Sequence, residues 1–137
     1  GMAVQASCSV PGVFQPAHFS GRTYVDGGVV NPLPVDVARR YGADVVIAVD
    51  ISSGINRNVP TSTLETILKS IDIMHEKISL SQTGKADVVI RPNVSFVGSA
   101  DFTLRHEAIL EGERATIAAL PRISGALAKL RQAGRLP

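Results

Sequence analysis

The stretch VVIAVDI, residues 45–51, is an apolar and mostly β-branched run that is interrupted only by Asp50. Such a run predicts a strand buried on both faces, as in a parallel sheet with helices on either side. A second run, DVVIRP at residues 87–92, has the same character and stops at a proline. The two runs therefore predict the buried strands of a sheet.

Helix signals stand on both sides of the first run. Pro34 is placed where a helix can begin, with Asp36 in its first turn and Gly42 as its stop. Ser62 and Glu65 form a capping box, which predicts the start of a second helix. Apolar residues follow that box at helical spacing: Leu64, Ile67, Leu68, Ile71, Met74 and Ile78. We interpret this helix first as a crossover packed on the sheet, although its apolar face also fits peripheral contact with a membrane.

The rest of the chain completes the alternation. Residues 1–22 hold small residues and turn formers and are predicted to be irregular, and residues 23–25 form a short strand that stops at a pair of glycines. Residues 104–133 are helical in pattern, with Pro121 either kinking the helix or starting another one. Strand and helix thus alternate three times, which predicts an α/β fold with a mostly parallel sheet flanked by helices.

Composition is that of one folded domain, residues 1–137, in which Gly1-Met2 is interpreted as the remnant of a cleaved tag and a start methionine. The net charge of +2 and the 4% aromatic content offer no basic patch or stacking platform, so no nucleic-acid partner is expected. The apolar runs are too short to cross a bilayer, so no transmembrane segment is expected. The single cysteine, Cys8, fits a reducing compartment, and we expect a cytoplasmic protein.

The candidate functional residue lies in YVDGGVVNPLP, residues 24–34, where Asp26 is followed by Gly27 and Gly28. Ligands of open α/β sheets bind outside the carboxyl ends of the strands, and Asp26 stands at such an end. The two glycines permit positive φ and the close approach of a backbone or ligand. Asp26 can therefore accept a proton from a nucleophile or orient one. The alternative is a simple turn, in which the aspartate bonds to nearby backbone amides.

Several segments carry a family resemblance. They are ASCSVPGVFQP at residues 6–16, the Asp-Gly-Gly box, Asn31-Pro32 with Pro34, GADVVIAVD from Gly42, and later ADVVIRP and EGERATIAALPRI. On these segments the chain resembles the patatin-like phospholipase family, in its bacterial esterase branch, over nearly its whole length. The resemblance implies that the predicted sheet is part of a three-layer patatin-like fold.

Members of that family hydrolyse ester bonds of lipids or similar acyl esters with a Ser-Asp dyad and without histidine. The resemblance assigns the dyad aspartate to Asp26 and the supporting turn to Gly27 and Gly28, with no cofactor and no metal. The family's serine stands on a Gly-x-Ser-x-Gly elbow, and its oxyanion hole is a glycine-rich loop. Neither motif is in this sequence, since Ser53 and Ser99 adjoin a glycine but lack the full pattern. We therefore interpret the chain as the carboxyl-terminal half of a patatin-like domain, inactive by itself.

Other functions stay open on the sequence. The chain can be a non-catalytic α/β interaction module, or a stable fragment without activity of its own. A nucleotide-binding domain is a weaker interpretation, because neither a Gly-x-Gly-x-x-Gly motif nor a Walker-type loop is present. If a parallel sheet is cut, one strand edge is bare, so we expect self-association through that edge.

Two further polar residues and the surroundings of Asp26 lead to expectations. Asp50 ends the first buried strand, where a substrate-side role is one interpretation and satisfaction of loop amides is the favoured one. His75 falls on or beside the apolar stripe of the second helix, where a hydrogen-bonded structural histidine is the default. Burial of Asp26 beside Val25 and Val29 is expected to make it a stronger base.

Overall fold

A computed structural model describes residues 1–52, 59–98 and 103–136, so that Ser53 and Ser99 lie outside the described residues. The helices are α1 (Met2–Ser7), α2 (Val35–Arg40), α3 (Thr63–Thr83) and α4 (Arg105–Gln132), with a short 3₁₀ helix at Gly27–Val29. The strands are β1 (Ala17–Phe19), β2 (Arg22–Tyr24), β3 (Ile47–Val49) and β4 (Val88–Ile90).

The two buried runs form the predicted parallel pair. β3 and β4 run in parallel with Ala48 opposite Val89, and the backbone N–H of Asp50 continues the ladder to the carbonyl oxygen of Ile90 at 2.9 Å. Parallel neighbours need a long connection, which contains the 21-residue helix α3. The predicted α/β class, with a parallel sheet flanked by helices, is confirmed.

Different elements cover the two faces of this sheet. Side chains of successive strand residues point to opposite faces, so Val88 and Ile90 lie on one face and Ala48 lies on the other. On the first face, Val88 and Ile90 pack against Ala119 of α4. On the second face, the core consists of Leu33, Val35, Val46 and Ala48. The sheet therefore lies between α4 and the segment that leads into α2.

The first face is covered over β4 but remains open over β3. In the parallel register, Ile47 and Val49 lie opposite Val88 and Ile90 and share their face. Ile47 is 42% exposed, Val49 is 53% exposed, and Ile51 just beyond the strand is 69% exposed. The prediction that this run is buried on both faces is wrong among the described residues, because α4 packs mainly on β4. We refer to Ile47, Val49 and Ile51 as the open row.

The amino-terminal part is more regular than predicted, since residues 1–22 contain α1 and β1. The strand predicted at residues 23–25 exists as β2, but it pairs antiparallel with β1 and does not join the parallel sheet. Ser20 and Gly21 have φ of 52° and 68°, the type I′ pattern that matches the twist of a hairpin. A local turn therefore gives this strand its partner.

The predicted helices are confirmed, and their ends follow the predicted signals. α2 stops before Gly42, which has φ of 85°. At the start of α3, the backbone N–H of Glu65 donates to Ser62 Oγ at 3.2 Å. The Glu65 carboxylate accepts the backbone N–H of Thr61 at 2.6 Å, one residue before the position that the capping box predicts. α4 continues through Pro121 as one helix, so no further helix begins there.

Candidate functional site

Asp26 is the cap of a tight turn between the hairpin and the 3₁₀ helix. Its Oδ1 accepts the backbone N–H of Gly28 at 2.7 Å, and its own N–H donates to the carbonyl oxygen of Ser9 at 3.0 Å. The carbonyl oxygen of Asp26 accepts the N–H of Val29 at 3.3 Å. The described residues supply no second hydrogen bond to the carboxylate, so none of them occupies Oδ2.

The turn requires glycine at these two positions because a side chain would not fit there, and not because the backbone is left-handed. Neither Gly27 nor Gly28 has the positive φ that the sequence allowed for. A Cβ on Gly28 would lie 2.9 Å from Asp26 Oδ1 and 3.3 Å from Cε1 of His75. A Cβ on Gly27 would lie 3.2 Å from Ser7 Oγ. The bare backbone of Gly28 thus lets the carboxylate fold over it and lets the imidazole ring approach from the other element.

Asp26 lies on a cavity of about 700 Å³ between the turn, the end of β3 and the face of α3. The polar lining residues are Ser7, Asp26, Asn31, Asp50, Ser52, Asp72, His75, Ser79 and Ser95. Asp26 is half-buried and belongs to no ion pair among the described residues. Val25 and Val29 are each 44% exposed, so the apolar burial expected beside Asp26 is absent from the described chain.

Asp50 lines the same cavity, but its carboxylate is fully engaged. The side chain is buried, and Oδ1 accepts the backbone N–H of Ser52 at 3.1 Å and its hydroxyl at 2.5 Å. Oδ2 accepts Nε of Arg91 at 3.2 Å. Asp50 therefore anchors the loop after β3, and the favoured interpretation, in which it satisfies loop amides, is confirmed.

The buried face of α3 differs from the predicted apolar stripe. Leu64, Ile67 and Met74 of that stripe are at least half exposed, whereas Ser79 is only 2% exposed. Asp72, His75 and Ser79 follow one another at spacings of three and four residues, which places them on one helical face, toward the cavity. Sequence reasoning missed this polar stripe, although its helical spacing was visible.

Burial affects the protonation of Asp72 on the cavity-facing side of α3. Desolvation raises the pKa of Asp72 above its ordinary value, while the nearby His75 and Lys69 act in the opposite direction. The neutral form of this carboxyl is thus favoured more than it would be in water. Among the described residues, no three histidine, cysteine, aspartate or glutamate side chains come together as a group able to hold a metal ion.

Two buried side-chain atoms on the cavity lack a hydrogen-bond partner among the described residues, Asn31 Oδ1 and His75 Nε2. The Asn31 amide is oriented by Asp36, whose Oδ1 accepts the Nδ2–H at 2.8 Å, so the amide oxygen points away from that carboxylate. The prediction of a hydrogen-bonded structural histidine is wrong for His75 at Nε2. Buried polar atoms are normally paired, so both atoms indicate a surface that another polar group completes.

A family profile described as patatin-like phospholipase matches residues 2–39, which include the turn of Asp26. An uncharacterized NTE family protein of Mycobacterium tuberculosis is 29% identical over 143 residues, an alignment covering 86% of this chain and 24% of that protein. Patatin-like phospholipase domain-containing protein 7 of Rattus norvegicus is 48% identical over 52 residues, covering 36% of this chain and 4% of that protein.

A second uncharacterized NTE family protein of Mycobacterium tuberculosis is 40% identical over 50 residues, which cover 36% of this chain and 14% of that protein. The chain thus spans about a quarter of the length of the first of these relatives, at 24%. No helix among the described residues combines the length and the apolar character that crossing a membrane requires.

Proposed function

We propose that this chain is a member of the patatin-like phospholipase family and supplies the aspartate of a Ser-Asp dyad that hydrolyses acyl esters of lipids. Asp26 is the dyad aspartate, and Gly27 and Gly28 form its supporting turn. The observation that carries the proposal is the state of the Asp26 carboxylate: Oδ1 is fixed by the Gly28 N–H, and Oδ2 has no partner among the described residues, beside a cavity of about 700 Å³.

In the proposed reaction, a serine hydroxyl hydrogen-bonds to the free oxygen of Asp26. As the serine oxygen attacks the ester carbonyl carbon, its proton moves to Asp26. The tetrahedral intermediate expels the alcohol, which leaves with that proton, and an acyl-serine remains. Asp26 then takes a proton from an attacking water, and release of the acid returns that proton to the serine oxygen. Because the turn already holds Oδ1, the carboxylate needs little reorganisation during these steps.

The proposed serine lies outside these 137 residues, which contain no Gly-x-Ser-x-Gly sequence. We accordingly propose that the chain is a carboxyl-terminal portion of the catalytic domain. In this proposal the rest of that domain packs on the open row and on the edge of β3 that no described strand pairs with. This exposed apolar surface also fits the alternative function, a non-catalytic interaction module. Such a module would use the open row but would not need the Asp26 carboxylate.

The test replaces Asp26 by Asn in the full-length protein and measures hydrolysis of p-nitrophenyl esters. Asn has the size of Asp but cannot accept the serine proton, so kcat should fall by about 10²- to 10⁴-fold. Asp44→Asn is the matched control, because Asp44 lies on the surface and pairs with Arg135 away from the cavity. The 137-residue chain alone should show no hydrolysis above background. Wild-type activity in Asp26→Asn would remove this residue from the mechanism.

A further inference from the structure

His75 lies directly against the turn that holds Asp26, although it comes from a different element. α3 approaches the 3₁₀ helix, and the imidazole ring packs on Gly28, where a Cβ would be 3.3 Å from Cε1 and 3.5 Å from Nε2. The same position is 2.9 Å from Oδ1 of Asp26. The ring nitrogen and the carboxylate oxygen therefore both lie within 4 Å of one point above the Gly28 backbone.

The nitrogen at this position is costly to keep. Nε2 of His75 is buried without a hydrogen-bond partner among the described residues, and leaving a buried polar atom unpaired destabilises a fold. A leucine or phenylalanine would pack on Gly28 without that penalty. The unpaired nitrogen is therefore better explained by the site beside it than by packing.

The neighbours of His75 are themselves polar. Asp72 lies one turn earlier on α3 and interacts electrostatically with the imidazole, and Asp26 lies across Gly28. Asp72, His75 and Asp26 thus line the same cavity, with the Gly28 backbone beside both His75 and Asp26. The N–H of Gly28 is the donor that fixes Asp26 Oδ1 at 2.7 Å.

We propose that His75 is a positioning residue for Asp26. Its ring supports the Gly28 peptide, whose N–H holds the carboxylate, and its polar Nε2 faces the space beside Oδ1 and keeps the carboxylate oriented. The proposed site is therefore an aspartate supported by a histidine that does not itself contact the reacting atoms. This inference rests on the proposed function of Asp26.

The test uses the full-length protein with two variants, one that removes the ring nitrogen of His75 and one that removes the ring. His75→Phe keeps a ring on Gly28 and loses the nitrogen, and His75→Gln keeps a polar nitrogen near the position of Nε2 and loses the ring. We expect His75→Phe to lower kcat for a p-nitrophenyl ester about tenfold with KM changed less than twofold. His75→Gln should recover kcat to within about threefold of the wild type. The melting temperature of His75→Phe should equal or exceed that of the wild type, because an unpaired nitrogen is removed.

A double variant shows whether His75 acts through Asp26. In the Asp26→Asn background, His75→Phe should have no further effect on kcat, because the group that it positions is gone. If Asp26→Asn retains full activity, the proposed function fails and this inference fails with it. If Asp26→Asn is impaired but His75→Phe has wild-type kcat, or both His75 variants lose the same activity, only the inference is overturned. Should His75→Phe fail to fold, His75→Leu compared with His75→Gln decides the same question.

Discussion

Replacing Gly28 by Ala tests the geometry of the turn more sharply than any change to Asp26 itself. The new Cβ would lie 2.9 Å from Asp26 Oδ1 and 3.3 Å from Cε1 of His75. The first distance is too short for a carbon and an oxygen that are not hydrogen-bonded, so the carboxylate must move. Any such movement lengthens the 2.7 Å hydrogen bond that the Gly28 N–H donates to it.

The expected size of the effect follows from that bond. A hydrogen bond to a charged group contributes about 1.5–3 kcal/mol. Ala in place of Gly returns roughly 0.5–1 kcal/mol, because the unfolded chain has less freedom to lose. The free energy of unfolding of this chain should therefore fall by about 0.5–2.5 kcal/mol. In the full-length protein, a displaced carboxylate should lower kcat by about 10- to 100-fold.

Urea unfolding followed by circular dichroism measures the first effect, and ester hydrolysis measures the second. Gly125→Ala is the matched control, because Gly125 lies inside α4 and a Cβ there meets nothing within 4 Å. That variant should be stabilised by roughly 0.5–1 kcal/mol, with activity unchanged. If Gly28→Ala were as stable and as active as Gly125→Ala, the close contact between Gly28 and the Asp26 carboxylate would not be part of the native structure.

Two further predictions concern the surface and the fold. The chain alone should self-associate through the open row, so light scattering after size exclusion should show a mass that rises with protein concentration. Ile47→Lys should abolish that rise. Tyr41→Lys is the control and should not abolish it, because Tyr41 is 90% exposed and lies outside the open row. A monomer at all concentrations would contradict this. Hydrogen bonds from the backbone N–H of Val46 and from Arg39 lower the pKa of Asp87, so its stabilising effect is present above the ordinary aspartate pKa and is lost as pH falls through the lower folded-state value. Urea midpoints of wild type should thus fall more steeply below about pH 4 than those of Asp87→Asn, and parallel curves would refute the assignment.

The elements that the sequence predicted well are those fixed by local chemistry. The capping residue Ser62 and the stop at Gly42 act within one helical turn, so their outcome depends little on the rest of the fold. The two β-branched runs lie in parallel, and the connection between them is long enough to contain the helix that a parallel crossover requires. Their coverage was not predictable, since it depends on which strand α4 reaches.

The hairpin shows how a correct strand can receive the wrong partner. Ser20-Gly21 is a short turn signal in the sequence, but the strand β1 before it is only three residues long, too short for its alternation of apolar and polar residues to predict a strand. The regular alternation of strand and helix therefore dominated the prediction. Asp26 follows a hairpin strand as a result, and the cavity edge is reached by the turn after β2 and not by the parallel sheet itself.

The candidate site divides in the same way. Asp26 and its glycines are adjacent in the chain, so their pattern could be read directly from the sequence. His75 reaches the turn only because α3 packs against the 3₁₀ helix, nearly fifty positions later in the sequence. Asp72, His75 and Ser79 share a helical face, but the larger apolar residues between them suggested a different buried face. Local sequence patterns do not predict which distant segments of the chain come together to form a site.

Asp26 is proposed to serve a serine that lies beyond these 137 residues, and covalent labelling of the full-length protein tests this role most directly. A fluorophosphonate probe reacts with an activated serine, and mass spectrometry of the digest identifies the labelled residue. We predict a single labelled serine outside residues 1–137 and a labelling rate at least about 10²-fold lower in Asp26→Asn. Labelling of a residue within this chain, or an unchanged rate in Asp26→Asn, would contradict this role of Asp26.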